Sequence, residues 1–435
     1  MLYRTFKSPT NVQIELTTQC SNKCAHCYNF LCNTDSPDVT MSPKRLQQVM
    51  DELISAQVFG VTLTGGEPLL HPELVTEGIR LCEDGNIDCS INSNLTFLAE
   101  EDLLKMKEVG NFSILTSLAS YSEQAHDNLA GRNGAFQDWV KSISLLNKHN
   151  ISFAVNMVVT QHNAEHVYHT GLLAYSLGAR SFSATKASPP AGCEDFSSIQ
   201  PSKSQVIQSL DSLLRLHREV GIHVDALECY PRCLLRDLDK YAAFARRKCM
   251  AGILSATVSS SGDVRPCSHS DRVYGNIFDE GIVAVFSQMT EWRTGELIPA
   301  TCKECKYFPQ CSGGCRCEAE YVSSIDGMDP YASCPSDVER IRQQCCDSVS
   351  IEPETQILIP HDLDCRQEEF GFILRLKKQT LIVDTQAGEA IIKSVGKTIT
   401  PNELAFEGGA DISEAIIISR ALVQQGLAEL VHIRG

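Results

Sequence analysis

From Asn11 onward, short runs of β-branched and apolar residues alternate with amphipathic stretches at intervals of about 25 to 35 residues, the pattern of repeated strand–helix units around a parallel sheet. The runs that read as strands are Asn11–Leu16, Val61–Thr64, Asp88–Asn92, Phe112–Ser117, Ser152–Val159 and Arg180–Thr185. Between them, Pro43–Ala56 and Phe136–His149 place apolar residues at helical spacing, and Gly60, Gly110 and Gly178 stand where helices should stop. Six such units imply an α/β fold, a partial (β/α)6 barrel. Active residues then belong at the C-terminal ends of the strands and in the loops that follow.

A long helical stretch, Lys203–Val220, closes this region and is followed by a strand-like piece at Ile222–Ala226. The chain then becomes rich in cysteine and poor in regular periodicity up to about Cys346, and a loop-rich segment of that kind needs metal or disulfide to stay folded. From about Ile351 the pattern changes again. Strand candidates Gln356–Ile359, Gly371–Leu376 and Thr380–Asp384 precede helical candidates Ala387–Val395, Pro401–Glu407 and Ile412–Gln425. Three domains are expected, over residues 10–235, 236–346 and 351–435.

Length and composition agree with a multidomain globular protein: 435 residues, 43% hydrophobic and 21% charged. The balance of 38 basic against 54 acidic side chains, a formal −16, and the lack of a basic run demote nucleic acid and anionic membranes as partners. The first residues show no signal-peptide pattern and no long apolar span occurs, so a cytoplasmic location is expected. In a reducing compartment the 20 cysteines read as metal ligands rather than disulfides, and ten of them fall between Cys249 and Cys346. Cys82, Cys89 and Cys365 read instead as small buried hydrophobes.

Immediately after the first strand stands Cys20-Ser-Asn-Lys-Cys24-Ala-His-Cys27. Three thiolates on one tight loop can hold three irons of a 4Fe-4S cubane and leave the fourth open to a small molecule, whereas a zinc knuckle would normally supply four ligands in pairs. The spacing and position of this cluster resemble the radical S-adenosylmethionine (SAM) superfamily over about residues 10–230. That resemblance implies a TIM-type partial barrel in which the open iron chelates SAM and one electron cleaves it to a 5′-deoxyadenosyl radical. Gly65-Gly66-Glu67-Pro68, 38 residues past Cys27, looks like the family's GGEP motif. Its glycines would let the backbone approach the cofactor, and Glu67 would accept from the SAM amino group. Ser117, before His126-Asp-Asn-Leu-Ala-Gly131, resembles the family's ribose-contacting serine, although Ala119-Ser120 replace the commoner Asp-Gly. Asn156 and Asn94 are further candidates for the cofactor, and His26 stands where relatives usually carry an aromatic residue.

Cys249-x12-Gly262-x4-Cys267 and Cys302-x2-Cys305-x5-Cys311-x3-Cys315-x18-Cys334 closely resemble the SPASM domain, which binds two auxiliary 4Fe-4S clusters. The resemblance implies that Cys302, Cys305, Cys311 and Cys334 hold one cluster, and Cys249, Cys267 and Cys315 three irons of the other. The fourth ligand of the latter is open between Cys233, the preferred choice, Cys229, Cys317 and an unfilled site. Residues 351–435 resemble, more loosely, a winged helix-turn-helix called the RiPP recognition element, on Val383-Asp-Thr-x-Ala-Gly-Glu-Ala-Ile391 and Ala421-Leu-Val-x-x-Gly-Leu427. The implied function is a peptide maturase with SAM and three 4Fe-4S clusters, one SAM-binding and two auxiliary. Its partners would be a precursor peptide with a leader and an electron donor such as flavodoxin or ferredoxin. The product would be an oxidative modification or a cross-link such as a thioether. A radical SAM enzyme acting on a small molecule or tetrapyrrole, and a non-catalytic iron-sulfur electron-transfer protein, are the alternatives. No protein side chain is singled out as catalytic.

Overall fold

A computed structural model of the chain describes residues 3–29, 38–332, 349–377 and 379–431. It divides into two compact units, Met1–Gln343 and Gln344–Gly435. The barrel region and the described part of the cysteine-rich segment therefore share one unit.

The first unit is built on one ten-stranded sheet. Strands β1 (Asn11–Thr17), β2 (Gly60–Gly65), β3 (Asp88–Ser93), β4 (Ser113–Ser117), β5 (Phe153–Val159), β6 (Ser181–Lys186) and β7 (His223–Asp225) follow one another in order and pair in parallel. The crossovers are helical and include α1 (Pro43–Ser55), α2 (Pro72–Asp84), α3 (Glu100–Val109), α4 (Glu123–Ala130), α5 (Ala135–Lys148), α6 (Val167–Ser176) and α7 (Lys203–Val220). This is the TIM-type partial barrel, with the piece near residue 222 forming a seventh parallel strand.

Local chemistry explains the boundaries. Ser202 caps α7 through a reciprocal box with Gln205, and Gly221, at φ 74°, takes the left-handed conformation that stops it. Gly60 does not end a helix. It opens β2, where a Cβ would stand 2.4 Å from Asn11 Oδ1. One face of the strands is apolar and buried, with Ile14, Leu63, Val155 and Phe182 on it, while the other carries polar residues such as Gln13, Asn92, Ser117 and Asn156 that line a cavity.

The cysteine-rich segment holds more regular structure than its periodicity suggests. Strand β8 (Ser255–Val258) adds in parallel to the free side of β1, and β9 (Asp263–Arg265) and β10 (Gly275–Asn276) continue the sheet antiparallel. The buried pair of Glu15 on β1 and Arg265 on β9 ties these strands together. Cys82 and Cys89 are buried, as expected of small core residues, and Cys365 is half-buried.

The second unit carries two small antiparallel sheets rather than three strands followed by helices. Asp364–Glu368, Gly371–Leu376 and Gln379–Val383 form a meander, and Ile357–Leu358 pairs with Thr398–Ile399 and Glu429–Leu430. Helices Thr385–Lys393, Pro401–Gly408 and Ile412–Gln424 complete it. Its core includes Ile357, Leu374, Ile391 and Leu422. Gln379–Val383 pairs with Gly371–Leu376 alone among the described residues. No helix among the described residues is long and apolar enough to cross a membrane.

Candidate functional site

A cavity of about 710 Å³ opens at the C-terminal ends of the parallel strands. Cys20, Cys24 and Cys27 line it from the loop after β1. That loop is clamped from below: the amides of Lys23 and Ala25 donate to Ala130 O (2.9 Å) and Leu129 O (3.0 Å) at the end of α4. Gly131 completes the clamp at φ 64°, where a Cβ would lie 2.3 Å from Lys23 O, so this position takes no side chain. The three thiols feel one another across the loop. Burial pushes the Cys20 thiol up to about 11, with Glu67 and Cys27 adding to it, and burial together with Cys27 and Cys20 pushes Cys24 higher still. Protonated thiols held so close in an apolar loop are unfavourable as thiolates unless a cation gathers them, which is what an iron-sulfur cluster provides.

Gly65 and Gly66 are also required by the fold itself. A Cβ on Gly65 would meet Thr17 O at 2.4 Å, and one on Gly66 would meet Gln19 O at 1.9 Å. The amides of Gly66 and Glu67 donate to those same carbonyls, each at 2.7 Å. The glycines thus let the backbone after β2 approach the segment that leads into Cys20. Glu67 is buried, and its Oε1 accepts from Leu69 N (2.9 Å) and Ser93 Oγ (2.6 Å) while Oε2 accepts from Asn94 N (2.7 Å). Burial raises its carboxyl to about 7 despite these donors. Asn94 also reaches the cysteine loop, donating from Nδ2 to Ser21 Oγ (3.3 Å) and to Cys20 Sγ (3.8 Å).

Ser117 and Asn156 are register partners on β4 and β5, and both line the cavity. Asn156 Oδ1 accepts from Thr185 Oγ1 at 2.7 Å, which fixes the amide. His26 is buried with Nδ1 unpartnered, and burial lowers its pKa to about 4, with His126 adding to the shift. The aromatic residue at this loop is Tyr28, stacked on His269 at 4.4 Å and an interplanar angle of 3°.

On the opposite wall Cys249, Cys267, Cys315 and Cys229 line the same cavity. Their thiols form a connected set. Cys229 interacts with Cys249 and Cys315, and Cys317 with Cys315, while the sulfurs of Cys267 and Cys317 are 3.8 Å apart. Glu228, Cys229 and Cys315 place ligand atoms within 4.8 Å of one another. Cys233, preferred for this group from spacing, is not among the residues that line the cavity. It interacts with Cys302, whose thiol is pushed up to about 11 by burial first, then by Cys311, Cys233 and Cys305. Cys233 is the second residue of the short helix Arg232–Leu235, and Cys229 precedes that helix. Cys334 lies outside the described residues.

Three features had escaped the sequence reading. Arg246, Arg247 and Lys248 are consecutive basic residues, and all line the cavity. His269, two residues past Cys267, lies 3.6 Å from Glu228. Lys186, the last residue of β6, is buried and paired with Glu318. A charged residue ending a strand that is buried along most of its length was the available signal for the last.

The arrangement can seat a small cofactor between two thiol-bearing walls. Residues 14–173 match the model of the radical SAM superfamily, and residues 249–315 that of the SPASM iron-sulfur cluster-binding domain. Among curated proteins, the AdoMet-dependent heme synthase of Methanosarcina barkeri is 25% identical over 75% of this chain and 96% of its own length. The subtilosin biosynthesis protein AlbA of Bacillus subtilis is 28% identical over 65% of this chain, which spans 60% of AlbA. The PqqA peptide cyclase of Methylocella silvestris is 24% identical over 80% and 94%. Among solved structures, Streptococcus suis SuiB bound to S-adenosylmethionine superposes with a TM-score of 0.63 at 17% identity, over 76% of this chain and 78% of SuiB. AdoMet-bound anSMEcpe superposes with a TM-score of 0.61 at 18% identity, over 77% and 96%. SAM and iron-sulfur clusters are the cofactors these domains hold, and the chain, with a radical SAM domain followed by a SPASM domain, is a radical SAM enzyme.

Proposed function

We propose that this enzyme is a peptide maturase. When bound at the first cluster, SAM supplies a 5′-deoxyadenosyl radical able to abstract hydrogen from an unactivated C–H bond. The chain's own residues do the rest. Cys20, Cys24 and Cys27 leave one iron open for the SAM amino and carboxylate groups. Glu67 holds the Asn94 amide, lines the cavity and would accept from the SAM ammonium. Ser117 and Asn156, side by side on β4 and β5, would contact the ribose or the methionine portion of SAM.

Two auxiliary 4Fe-4S clusters bring the total to three. Cys249, Cys267 and Cys315 would hold the nearer one, and Cys229, whose ligand atom lies within 4.8 Å of that of Cys315, would be its fourth ligand. Cys302, Cys305, Cys311 and Cys334 hold the other. Flavodoxin or ferredoxin would supply the electron.

The observation that carries the peptide reading is the edge strand Gln379–Val383, whose outer backbone groups can pair with an extended leader peptide. Among the relatives, AlbA, the PqqA peptide cyclase and the mycofactocin maturase MftC of Mycobacterium tuberculosis support it by their names. An oxidative cross-link such as a thioether is the expected product. The second reading, action on a small molecule or tetrapyrrole, is favoured by the heme synthase, which aligns over 96% of its own length. Mass spectrometry of a candidate precursor peptide after anaerobic incubation with enzyme, SAM and reductant separates them. A mass loss or gain confined to the core segment supports the maturase, and an unmodified leader-bearing peptide alongside turnover of a tetrapyrrole supports the second.

A further inference from the structure

Lys186 ends β6 at the cavity and is 2% exposed. Its Nζ pairs with Glu318 Oε1, and Ser188 Oγ donates to the same oxygen. Glu318 lies on the helix Arg316–Val322, which begins directly after Cys315. The Cys315 amide is itself anchored, donating to Asp329 Oδ2 at 2.7 Å, and the other oxygen of Asp329 accepts from Tyr331 N at 2.8 Å. Tyr331 and Tyr230 enclose the ammonium, with ring centroids 5.0 and 5.6 Å from Nζ. One buried cation from the barrel thus meets a carboxylate from the thiol-bearing loop.

A fully buried ion pair is rarely the most stable filling for such a space, since apolar residues of similar volume commonly do as well. Here it stands where barrel enzymes place functional groups and where low polarity magnifies the field of a charge. Burial pulls the ammonium toward neutrality, but Glu318, Asp329 and Glu228 outweigh it and hold Lys186 charged. The thiol of Cys315 is within the reach of that charge.

We infer that Lys186, through Glu318, is a positioning residue that fixes the Cys315–Cys317 loop against the end of β6 and sets the electrostatic environment of the nearer auxiliary cluster. The inference rests on the proposed cluster at Cys249, Cys267 and Cys315. Because the lysine is positive, removing it makes added negative charge on that cluster less favourable, so the midpoint potential falls.

The test is a redox titration of the reconstituted full-length enzyme followed by electron paramagnetic resonance, with iron content and 5′-deoxyadenosine formation measured in parallel. The charge-balanced double variant Lys186→Met, Glu318→Gln avoids stranding either charge, and Lys186→Arg keeps the pair. The expected result is a lower auxiliary midpoint in Lys186→Met alone, which removes only the positive charge, and an altered auxiliary spectrum or selective loss of auxiliary iron in the double variant, which removes both charges and the link between β6 and the loop. Lys186→Arg keeps the wild-type potential, and the SAM-cluster signal is unmoved in all three. A double variant with full iron and a wild-type auxiliary spectrum and potential overturns the inference. So does global unfolding of the double variant beside a normal Lys186→Arg, since the pair would then be a general cross-link. Absence of any auxiliary signal in the wild type overturns the cluster assignment together with the inference, which distinguishes the two failures.

Discussion

The carboxylate of Glu67 accepts the backbone amide of Asn94 at 2.7 Å, so the motif after β2 is tied to the end of β3 through the same group proposed to meet the SAM ammonium. Glu67→Gln keeps an oxygen for Ser93 and Leu69 and loses the charge. Iron should be retained while SAM binding weakens by roughly 1.5–3 kcal/mol, about ten-fold or more, the usual worth of a charged hydrogen bond. Burial sets the wild-type carboxyl near 7, so SAM affinity should fall as pH drops through about 7, and the variant should lose that dependence. The sign for stability is opposite to that of a salt-bridged carboxylate. The folded apo protein holds this proton more tightly than the unfolded chain, so Glu67 opposes folding increasingly as pH rises toward about 7. Isothermal titration of SAM against both proteins across this range measures the effect, and parallel curves would reduce Glu67 to a turn residue.

Gly66→Ala places a Cβ 1.9 Å from Gln19 O, a backbone atom that cannot swing aside. Relief requires moving the segment that leads into Cys20. Overpacking of this kind costs about 1–3 kcal/mol, and the displacement should also loosen the first cluster. Thermal melting and iron content of the reconstituted variant are the readouts. A wild-type melting temperature with full iron would mean that the loop accommodates a methyl group freely.

Alanine substitutions sort the thiols. The triple variant Cys20→Ala, Cys24→Ala, Cys27→Ala should keep auxiliary iron and form no 5′-deoxyadenosine. Cys229→Ala should lose or alter the nearer auxiliary cluster, because Cys229 lines the cavity with Cys249 and lies within 4.8 Å of Cys315. Cys233→Ala should spare it, since that thiol stands with Cys302. Iron analysis and electron paramagnetic resonance distinguish these outcomes, and the reverse result for Cys229 and Cys233 would restore the choice made from spacing.

Much of the barrel was legible because its strands place buried apolar residues at every second position, as at Phe153, Val155, Met157 and Val159. Strand β8 was not, because Ser255–Val258 is four residues long and mostly small, and its pairing with β1 joins residues more than two hundred apart. The cysteine spacings pointed to the thiols but not to their neighbours. Cys229 and Cys233 are close in sequence, and only the folded chain sends them to different groups. Gly65 and Gly66 were recognised for the motif they form, while the reason for them, the carbonyls of Thr17 and Gln19, is a tertiary contact.

Deletion of residues 351–435 should spare SAM cleavage and greatly weaken modification of a full-length precursor peptide. The second unit has its own core around Leu374 and Ile391, and every proposed ligand lies before it, so radical generation needs none of its side chains. What the deletion removes is the free side of Gln379–Val383, whose amides and carbonyls can hold an extended leader and raise the local concentration of the attached core. The truncated enzyme should therefore turn over slowly at low peptide concentration and recover as peptide is raised, with KM rising far more than kcat falls. In the intact chain, Ile382→Asp tests the same strand, with circular dichroism as the control for folding because Ile382 is half-buried. A truncated, cluster-replete enzyme that modifies dilute full-length peptide as fast as the intact one would show that leader recognition lies elsewhere.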